Sequence, residues 1–200
     1  MGSEGITMAA AARVLVFAGS VRKDSFNRRL AKLAADAARA AGADVTHLEL
    51  ADYELPLMNE DLQAEKGVPQ PAQALKKLFV EHDGLLLCCP EYNSGITPLL
   101  KNVIDWVSRK EGSETPLAAF KGKVIGLLSA SPSPMGGIRG LVQVRSIFGN
   151  IGSLVLPDQV TIAKAHEVFQ ADGTLKDADL AKRVSGIAQS LVTTAGKLKG

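Results

Sequence analysis

Short apolar segments rich in Val, Leu and Ile recur along the chain. Several of them are apolar at consecutive positions, which is typical of parallel strands covered on both faces of a sheet. They predict strands over residues 13–18, 45–50, 85–89 and 124–128, and a weaker run predicts a fifth strand over 154–156.

Apolar residues with helical spacing lie between these segments. After Asn27, a stripe of leucines and alanines runs from Leu30 to Ala41, and Gly42 follows it as a C-terminal stop. The same spacing predicts further helices over residues 72–81, 98–109, 139–151 and 177–198. Residues 51–70 form the longest predicted irregular connection.

Strands and helices therefore alternate, which predicts an α/β protein with an open parallel sheet, helices on both faces and right-handed crossovers. In that architecture ligands bind at the carboxyl ends of the strands, near the point where strand order reverses. The sequence contains no repeat, linker or low-complexity tract that would divide it. We therefore expect a single domain over residues 11–200 and a leader or disordered tail over residues 1–10.

Composition and charge limit the kinds of ligand and partner that we expect for this protein. The 200 residues are 46% hydrophobic and 22% charged, as in an ordinary globular protein. A net charge of +2, with Lys and Arg scattered, argues against nucleic acid but leaves small anions open. Arg13 interrupts the apolar stretch near the N terminus, and no stretch approaches the roughly 18 apolar residues of a membrane span. Cys88 and Cys89 are adjacent and lack metal-site spacing, so we expect buried thiols in a cytoplasmic protein.

The loop after the first strand has the features of a phosphate site. Gly19 permits a sharp exit from the strand, Ser20 and Ser25 offer hydroxyls, and Arg22 offers a forked cation. Asn27 is expected to cap the next helix, whose free N–H groups and dipole favour negative charge. The loop lacks the GK[ST] of a Walker motif, and the sequence contains no GxGxxG. A capped helix with a surface arginine is the alternative interpretation.

The loop after the third strand reads CPEYNSG and leads into a helix. Pro90 ends the strand, while Asn93 and Gly95 allow tight turns that direct backbone N–H groups outward. Tyr92 adds a flat aromatic wall. Trp106, on the following helix, is expected in the core or at a subunit interface rather than against a ligand.

The loop after the fourth strand reads SASPSPMGGIRG. Ser129 and Ser131 carry hydroxyls, and the prolines at 132 and 134 stiffen the loop. Gly136 and Gly137 remove side chains where a ligand edge or another backbone comes close. In the predicted sheet this loop emerges beside the other two.

GSVRKDSFN, followed by PEYNSG, LKNVIDW and a Ser/Gly-Gly loop, resembles the NADPH-dependent FMN reductase family over about residues 13–156. This flavodoxin-like group includes quinone, chromate and azo-dye reductases. The resemblance implies a flavodoxin-like three-layer sandwich with a five-stranded parallel sheet of order 2-1-3-4-5. It also implies FMN as cofactor and NADPH or NADH as transient electron donor.

The resemblance further implies a role for each loop. The FMN phosphate would be held by Ser20, Arg22, Ser25 and Asn27. The ribityl chain and flavin ring would run beside Pro90, Glu91, Tyr92 and Asn93, largely along their backbone. The pyrimidine edge would be approached by Ser131, Gly136 and Gly137.

The implied activity is two-electron hydride transfer to quinones or similar small acceptors in a ping-pong cycle, with the flavin rather than a side chain as the reactive group. This fits the three loops, which contain no convincing general base, metal cluster or nucleophile; His47, His82 and His166 are expected to be surface or hydrogen-bonded histidines. A flavodoxin-type electron carrier is the alternative, although such carriers are typically strongly acidic. A cofactor-free module that binds another anion is a second alternative.

The helix over residues 98–109 also suggests assembly. Ile104 lies off the stripe formed by Leu99, Val103 and Trp106, so part of the helix is expected to lack a burial site within one subunit. The resemblance to a family of dimers and tetramers points the same way. We expect a homodimer or homotetramer with this helix near an interface and the partner forming one wall of each flavin pocket.

Overall fold

Five parallel strands form the central sheet in the computed structural model, which describes residues 10–199. They are β1 (Arg13–Ala18), β2 (Asp44–Leu48), β3 (Gly84–Cys88), β6 (Val124–Ala130) and β7 (Leu154–Ile162). Their order is β2-β1-β3-β6-β7, and every neighbouring pair is parallel. The predicted order 2-1-3-4-5 is therefore confirmed. Of the predicted leader over residues 1–10, residues 1–9 lie outside the described residues.

Seven α-helices and a short hairpin complete the described part of the chain. The helices are α1 (Phe26–Ala40), α2 (Glu60–Lys66), α3 (Gln70–Glu81), α4 (Pro98–Val107), α5 (Ile138–Asn150), α6 (Ala165–Val168) and α7 (Ala178–Lys199). The hairpin pairs β4 (Glu91–Tyr92) with β5 (Gly95–Ile96). A single 3-10 turn covers Leu50–Asp52. Within residues 10–199, none of the helices has the length and apolar character needed to cross a bilayer.

Alternate residues of the buried strands face two separate cores, which makes the molecule a three-layer sandwich. Val14 and Val16 of β1 pack in the core beneath α1 and α7, whereas Leu15 and Phe17 pack in the core beneath α3, α4 and α5. Both cores are apolar, so the strands read as continuous apolar runs instead of alternating ones. This is why the sequence pattern identified them.

Two predicted elements differ from the structure. The irregular connection over residues 51–70 contains α2, which has no buried residue and therefore gives no amphipathic stripe. The last strand continues to Ile162, because a bulge absorbs Pro157 before pairing with β6 resumes at Gln159. Arg145 donates hydrogen bonds to the carbonyls of Leu156 and Pro157 at 2.6 and 3.3 Å, which satisfies backbone groups that the bulge removes from the ladder.

The expectation that α4 lacks a burial site within one subunit is wrong. Ile104 is 3% exposed and Trp106 is fully buried in the single chain. The segment before α2 covers Trp106, whose indole Nε1 donates to the Pro56 carbonyl at 2.8 Å. Val68 and Ala72 complete the small apolar cluster around the ring. Segments distant in sequence therefore supply the cover that the helical stripe alone could not reveal.

Candidate functional site

A cavity of about 200 Å³ opens at the carboxyl ends of β1, β3 and β6. It lies where the strand order reverses, since the chain passes from β1 to β2 on one side and returns to β3 on the other. The residues that line it are Ser20, Arg22, Ser25, Phe26, Asn27, Pro90, Glu91, Tyr92, Ala130, Ser131 and Pro132. All three loops singled out in the sequence contribute to this wall.

Eight of the eleven predicted site residues line the cavity; Asn93, Gly136 and Gly137 do not. The wall also contains Phe26, Ala130 and Pro132, which sequence reasoning missed. These three residues carry no distinctive side-chain chemistry. Their only signal was their position directly beside predicted site residues.

The N terminus of α1 supplies the donors of the first loop. Ser25, not Asn27, is the N-cap residue, so the prediction that Asn27 caps this helix is wrong. The hydrogen bonds of the first turn start with the N–H groups of Arg28 and Arg29, both of which donate to the Ser25 carbonyl. The N–H groups of Phe26 and Asn27 therefore have no acceptor within the helix, and both residues line the cavity. The Ser25 hydroxyl makes no capping hydrogen bond.

Arg22 and Ser20 extend this donor set. The Ser20 hydroxyl accepts from the Arg22 N–H at 3.3 Å, which folds the loop back over the end of β1. Among residues 10–199, the Arg22 side chain takes part in no salt bridge. Two serines, an unpaired guanidinium and a helix N terminus thus meet at one end of the cavity. That is the donor set that a phosphate prefers.

The Asn27 side chain makes two hydrogen bonds within the protein. Asn27 is 4% exposed, and its Nδ2 donates to the Ala130 carbonyl at 2.8 Å. Its Oδ1 accepts from the Ala130 N–H at 2.9 Å. The amide therefore joins the first loop to the end of β6, while the residue still lines the cavity.

The hairpin forms the second wall. Asn93 and Ser94, with φ of 50° and 67°, make the tight turn between β4 and β5, and this places Asn93 at the exposed tip. Thr97 follows as the N-cap of α4, where its hydroxyl accepts from Leu100 N–H at 3.3 Å. The same hydroxyl donates to the Gly19 carbonyl at 3.1 Å. The hairpin is thereby attached to the first loop.

The Glu91 carboxylate anchors the hairpin to α5. Its side chain is 7% exposed, with one oxygen 3.0 Å from the Arg139 guanidinium and the other accepting from Gly140 N–H at 2.9 Å. Gly140 lies in the first turn of α5, so the carboxylate also sits at the favourable end of that helix dipole. Any contact of Glu91 with a ligand is thus left to its backbone.

Gly136 and Gly137 allow close packing within the chain itself. A Cβ on Gly136 would lie 3.0 Å from the backbone N of Ala163, and one on Gly137 would lie 2.1 Å from Ser129 Oγ. Both residues also have positive φ, at 63° and 89°. Close approach of another part of the protein, one of the two explanations open from the sequence, is therefore present at both glycines. Ser131 Oγ accepts from Ser133 N–H at 3.2 Å and so closes the turn that these glycines continue.

The cavity wall offers little proton chemistry of its own. Among its residues only Arg22, Glu91 and Tyr92 are titratable, and Glu91 is engaged with α5. The nearby thiols are unreactive, since burial raises the pKa of Cys88 well above its usual value and that of Cys89 to about 12. The site is therefore suited to binding a reactive cofactor and not to acid–base or nucleophilic catalysis by side chains.

Known proteins match both the sequence and the fold. The family model described as NADPH-dependent FMN reductase matches residues 12–167. A probable NADPH:quinone oxidoreductase 2 of Oryza sativa subsp. japonica is 30% identical, with 98% of this chain and 95% of that protein covered. An NAD(P)H-dependent FMN reductase of Pseudomonas aeruginosa is 32% identical, with 94% and 97% covered.

A solved structure agrees with these matches. The flavoenzyme NAD(P)H:(acceptor) oxidoreductase FerB of Paracoccus denitrificans superposes with a TM-score of 0.76 and 28% identity, over 93% of this chain and 98% of that one. The family match spans all three loops that form the cavity. The chain therefore belongs to the NADPH-dependent FMN reductase family.

Proposed function

We propose that the protein is an FMN-dependent NAD(P)H oxidoreductase that reduces quinones or similar small acceptors, such as chromate, azo compounds or free flavin. The observation that carries this proposal is the set of unpaired donors at the N terminus of α1, placed at the switch point of the sheet. The names of the relatives, a quinone oxidoreductase and an FMN reductase among them, support the same activity.

The donor chemistry fits a phosphomonoester. The FMN phosphate would be held by the Ser20 and Ser25 hydroxyls, the Arg22 guanidinium and the N–H groups of Phe26 and Asn27. The positive charge of Arg22 complements the phosphate, because no carboxylate in the described part of the chain pairs with its guanidinium.

The other two loops would hold the ring. When bound, FMN supplies the redox chemistry, accepting a hydride from the nicotinamide and passing two electrons to the acceptor. Residues Pro90 to Asn93 and Ser131 present mainly backbone groups, which orient a flat, polar-edged ligand without reacting with it. Tyr92, 53% exposed at the mouth, would flank the exposed face of the ring and limit access of water.

One flavin site at the three loops favours a ping-pong cycle in which donor and acceptor use the same face in turn. The sequence contains no GxGxxG for a separate nicotinamide site. A flavodoxin-type carrier would bind FMN in a similar cavity, but a net charge of +2 is unlike the acidic surface of such carriers. Catalytic turnover with a nicotinamide donor distinguishes the two functions.

The test is a flavin spectrum followed by steady-state kinetics. We expect the FMN-loaded protein to bleach under anaerobic NADPH or NADH and to recover its colour on addition of a quinone. Initial rates at several fixed quinone concentrations should give parallel double-reciprocal lines. Slow bleaching without turnover would support the electron carrier, and failure to bind FMN would reject both functions.

Assembly belongs to the same proposal. The cavity of about 200 Å³ is smaller than the roughly 300–1,000 Å³ of typical ligand pockets, so a second subunit would complete its wall. Exposed apolar side chains lie on the hairpin, on the loop after β6 and on α5, namely Tyr92, Met135, Ile138 and Val142. We therefore place the proposed homodimer interface, or one interface of a homotetramer, at the hairpin and α5, because α4 buries its apolar side within its own subunit. Sedimentation at micromolar concentration tests this, and an active species of 21.0 kDa would refute it.

The cellular compartment and the domain organisation are also part of this proposal. We propose a cytoplasmic enzyme, since the free thiols of Cys88 and Cys89 suit a reducing compartment. We also propose that residues 11–200 act as one FMN-binding domain, because the cavity draws on loops from both halves of the sheet.

A further inference from the structure

The side chain of Asn27 completes the parallel sheet where β3 has already ended. The last rung between β3 and β6 is the Cys89 N–H donating to the Leu128 carbonyl at 2.8 Å. The Cys89 carbonyl then accepts the Ser129 hydroxyl at 2.7 Å, whereas the next N–H of β6 on this side, that of Ala130, donates to the Asn27 side chain. The N–H and carbonyl of Ala130 are buried at this point and need another partner.

Asn27 satisfies both groups with one side-chain amide. Its Nδ2 and Oδ1 lie 2.8 and 2.9 Å from the Ala130 carbonyl and N–H, and only this orientation of the amide pairs a donor with an acceptor at both positions. The two residues are 103 positions apart. The contact therefore fixes the separation between the first and third loops.

We propose that Asn27 is a positioning residue for flavin binding. Its side-chain amide holds the first and third loops together, and its backbone N–H, not its side chain, binds the phosphate. This inference rests on the proposed function. The side-chain oxygen and one N–H of the Asn27 amide are hydrogen-bonded to Ala130. The side chain is also buried, which restricts its movement toward a ligand. Preorganisation of both loops would then strengthen the binding of flavins with and without a phosphate, FMN and riboflavin alike.

Riboflavin, which lacks the phosphate, separates positioning from direct phosphate contact. Asn27→Ala should weaken FMN and riboflavin by the same factor, about tenfold each, the scale of one buried hydrogen bond. Arg22→Ala should weaken FMN far more than riboflavin. If Asn27→Ala behaves like Arg22→Ala, or changes neither affinity, the proposal is overturned.

Asn102 provides a matched control for a general loss of stability. Its Nδ2 donates to the Pro56 carbonyl at 2.9 Å and its Oδ1 accepts from Met58 N–H at 2.8 Å, so it makes the same two-sided contact away from the cavity. Asn102→Ala should lower the free energy of unfolding and leave both flavin affinities unchanged. Equal weakening of flavin by Asn102→Ala and Asn27→Ala would overturn a positioning role for Asn27.

A measurement on the wild-type protein covers the case in which Asn27→Ala does not fold. In nuclear magnetic resonance spectra, inorganic phosphate should shift the backbone N–H signals of Phe26 and Asn27 but not the side-chain amide signals of Asn27. A large phosphate-induced shift of those side-chain signals would overturn the proposal. Wild-type protein that binds neither FMN nor riboflavin would instead reject the proposed function itself.

Discussion

The two ends of the central sheet carry similar polar residues but use them in opposite ways. At the carboxyl end, the Arg22 guanidinium and the N–H groups of Phe26 and Asn27 have no partner among residues 10–199 and line a cavity. At the amino end, Asp83 before β3 accepts from the Arg13 N–H and Lys199, and Lys123 before β6 donates to nearby carbonyls. The first arrangement leaves donors free for a ligand, whereas the second satisfies its polar groups within the protein.

The charged groups at the amino end each have hydrogen-bond partners within the protein. The Asp83 carboxylate accepts from the Arg13 N–H at 2.7 Å and from Lys199 at 3.0 Å. Lys123 is buried and donates to the carbonyls of Val80 and His82. Burial would raise the pKa of Asp83, but these donors outweigh it and lower that pKa, whereas burial of Lys123 lowers the pKa of its ammonium.

The difference shows that polar composition alone does not identify a site. A polar group that has its partner within the protein contributes to stability, and one that lacks a partner beside a cavity is a candidate for binding. Substitutions at the two ends should therefore change different quantities, one the affinity for flavin and the other the free energy of unfolding.

The largest effect is expected at the carboxyl end. Arg22→Ala should cost about 1.5–3 kcal/mol of FMN binding, the scale of a charge-assisted hydrogen bond, and should remove most of the preference for FMN over riboflavin. Because Arg22 is exposed and unpaired, the free energy of unfolding without ligand should stay within about 0.5 kcal/mol. Fluorescence titration and urea unfolding measure the two quantities. The control is Arg39→Ala, an exposed arginine at the far end of α1 that should leave FMN binding intact.

A smaller effect of the opposite kind is expected at the amino end. Lys123→Met keeps the apolar stem but leaves the Val80 and His82 carbonyls without their donor, so the free energy of unfolding should fall by about 1–2 kcal/mol. FMN affinity should not change. Lys121→Met, at an exposed lysine two positions away, is the matched control and should alter stability little. A loss of FMN binding in Lys123→Met with normal stability would contradict the division between the two ends.

The smallest effect concerns pH. Burial lowers the pKa of His82. Its Nδ1 lies 2.6 Å from the Leu78 carbonyl, which can only accept a hydrogen bond, so the neutral ring donates from Nδ1. Its Nε2 then accepts a hydrogen bond from the Thr46 hydroxyl. The unfolded chain, with a histidine pKa of about 6.5, then binds more protons than the folded one. Stability should therefore fall by up to about 1 kcal/mol as the pH drops from about 7.5 to 5.5.

This pH dependence can be assigned by substitution. His82→Gln should reduce the slope of unfolding free energy against pH, and His47, whose pKa burial also lowers, should account for part of what remains. His166→Gln serves as a control that removes an exposed histidine. A slope that His82→Gln leaves unchanged would show that His82 is not the group that titrates.

Much of the fold was predictable from the sequence because its signals are local. Continuous apolar runs identified the strands, and the order of elements indicated which loops share one end of the sheet. The serines and Arg22 of the first loop were recognisable for the same reason, since a strand, a polar loop and a helix follow one another directly. The short hairpin and α2 were missed, because neither carries an apolar period long enough to detect.

Only the tertiary structure decided how the polar groups are paired. Asn27 binds Ala130, which is 103 positions away, and Glu91 binds the Gly140 N–H in the first turn of α5, which is 49 positions away. The sequence offers no pattern that links such partners. The close contacts of Gly136 and Gly137 with β7 and β6 likewise became visible only in the folded chain. The burial of Trp106 likewise depended on a distant segment. The physical reason is that apolar burial depends on periodicity within one segment, whereas a hydrogen bond requires two particular atoms to meet within about 3 Å.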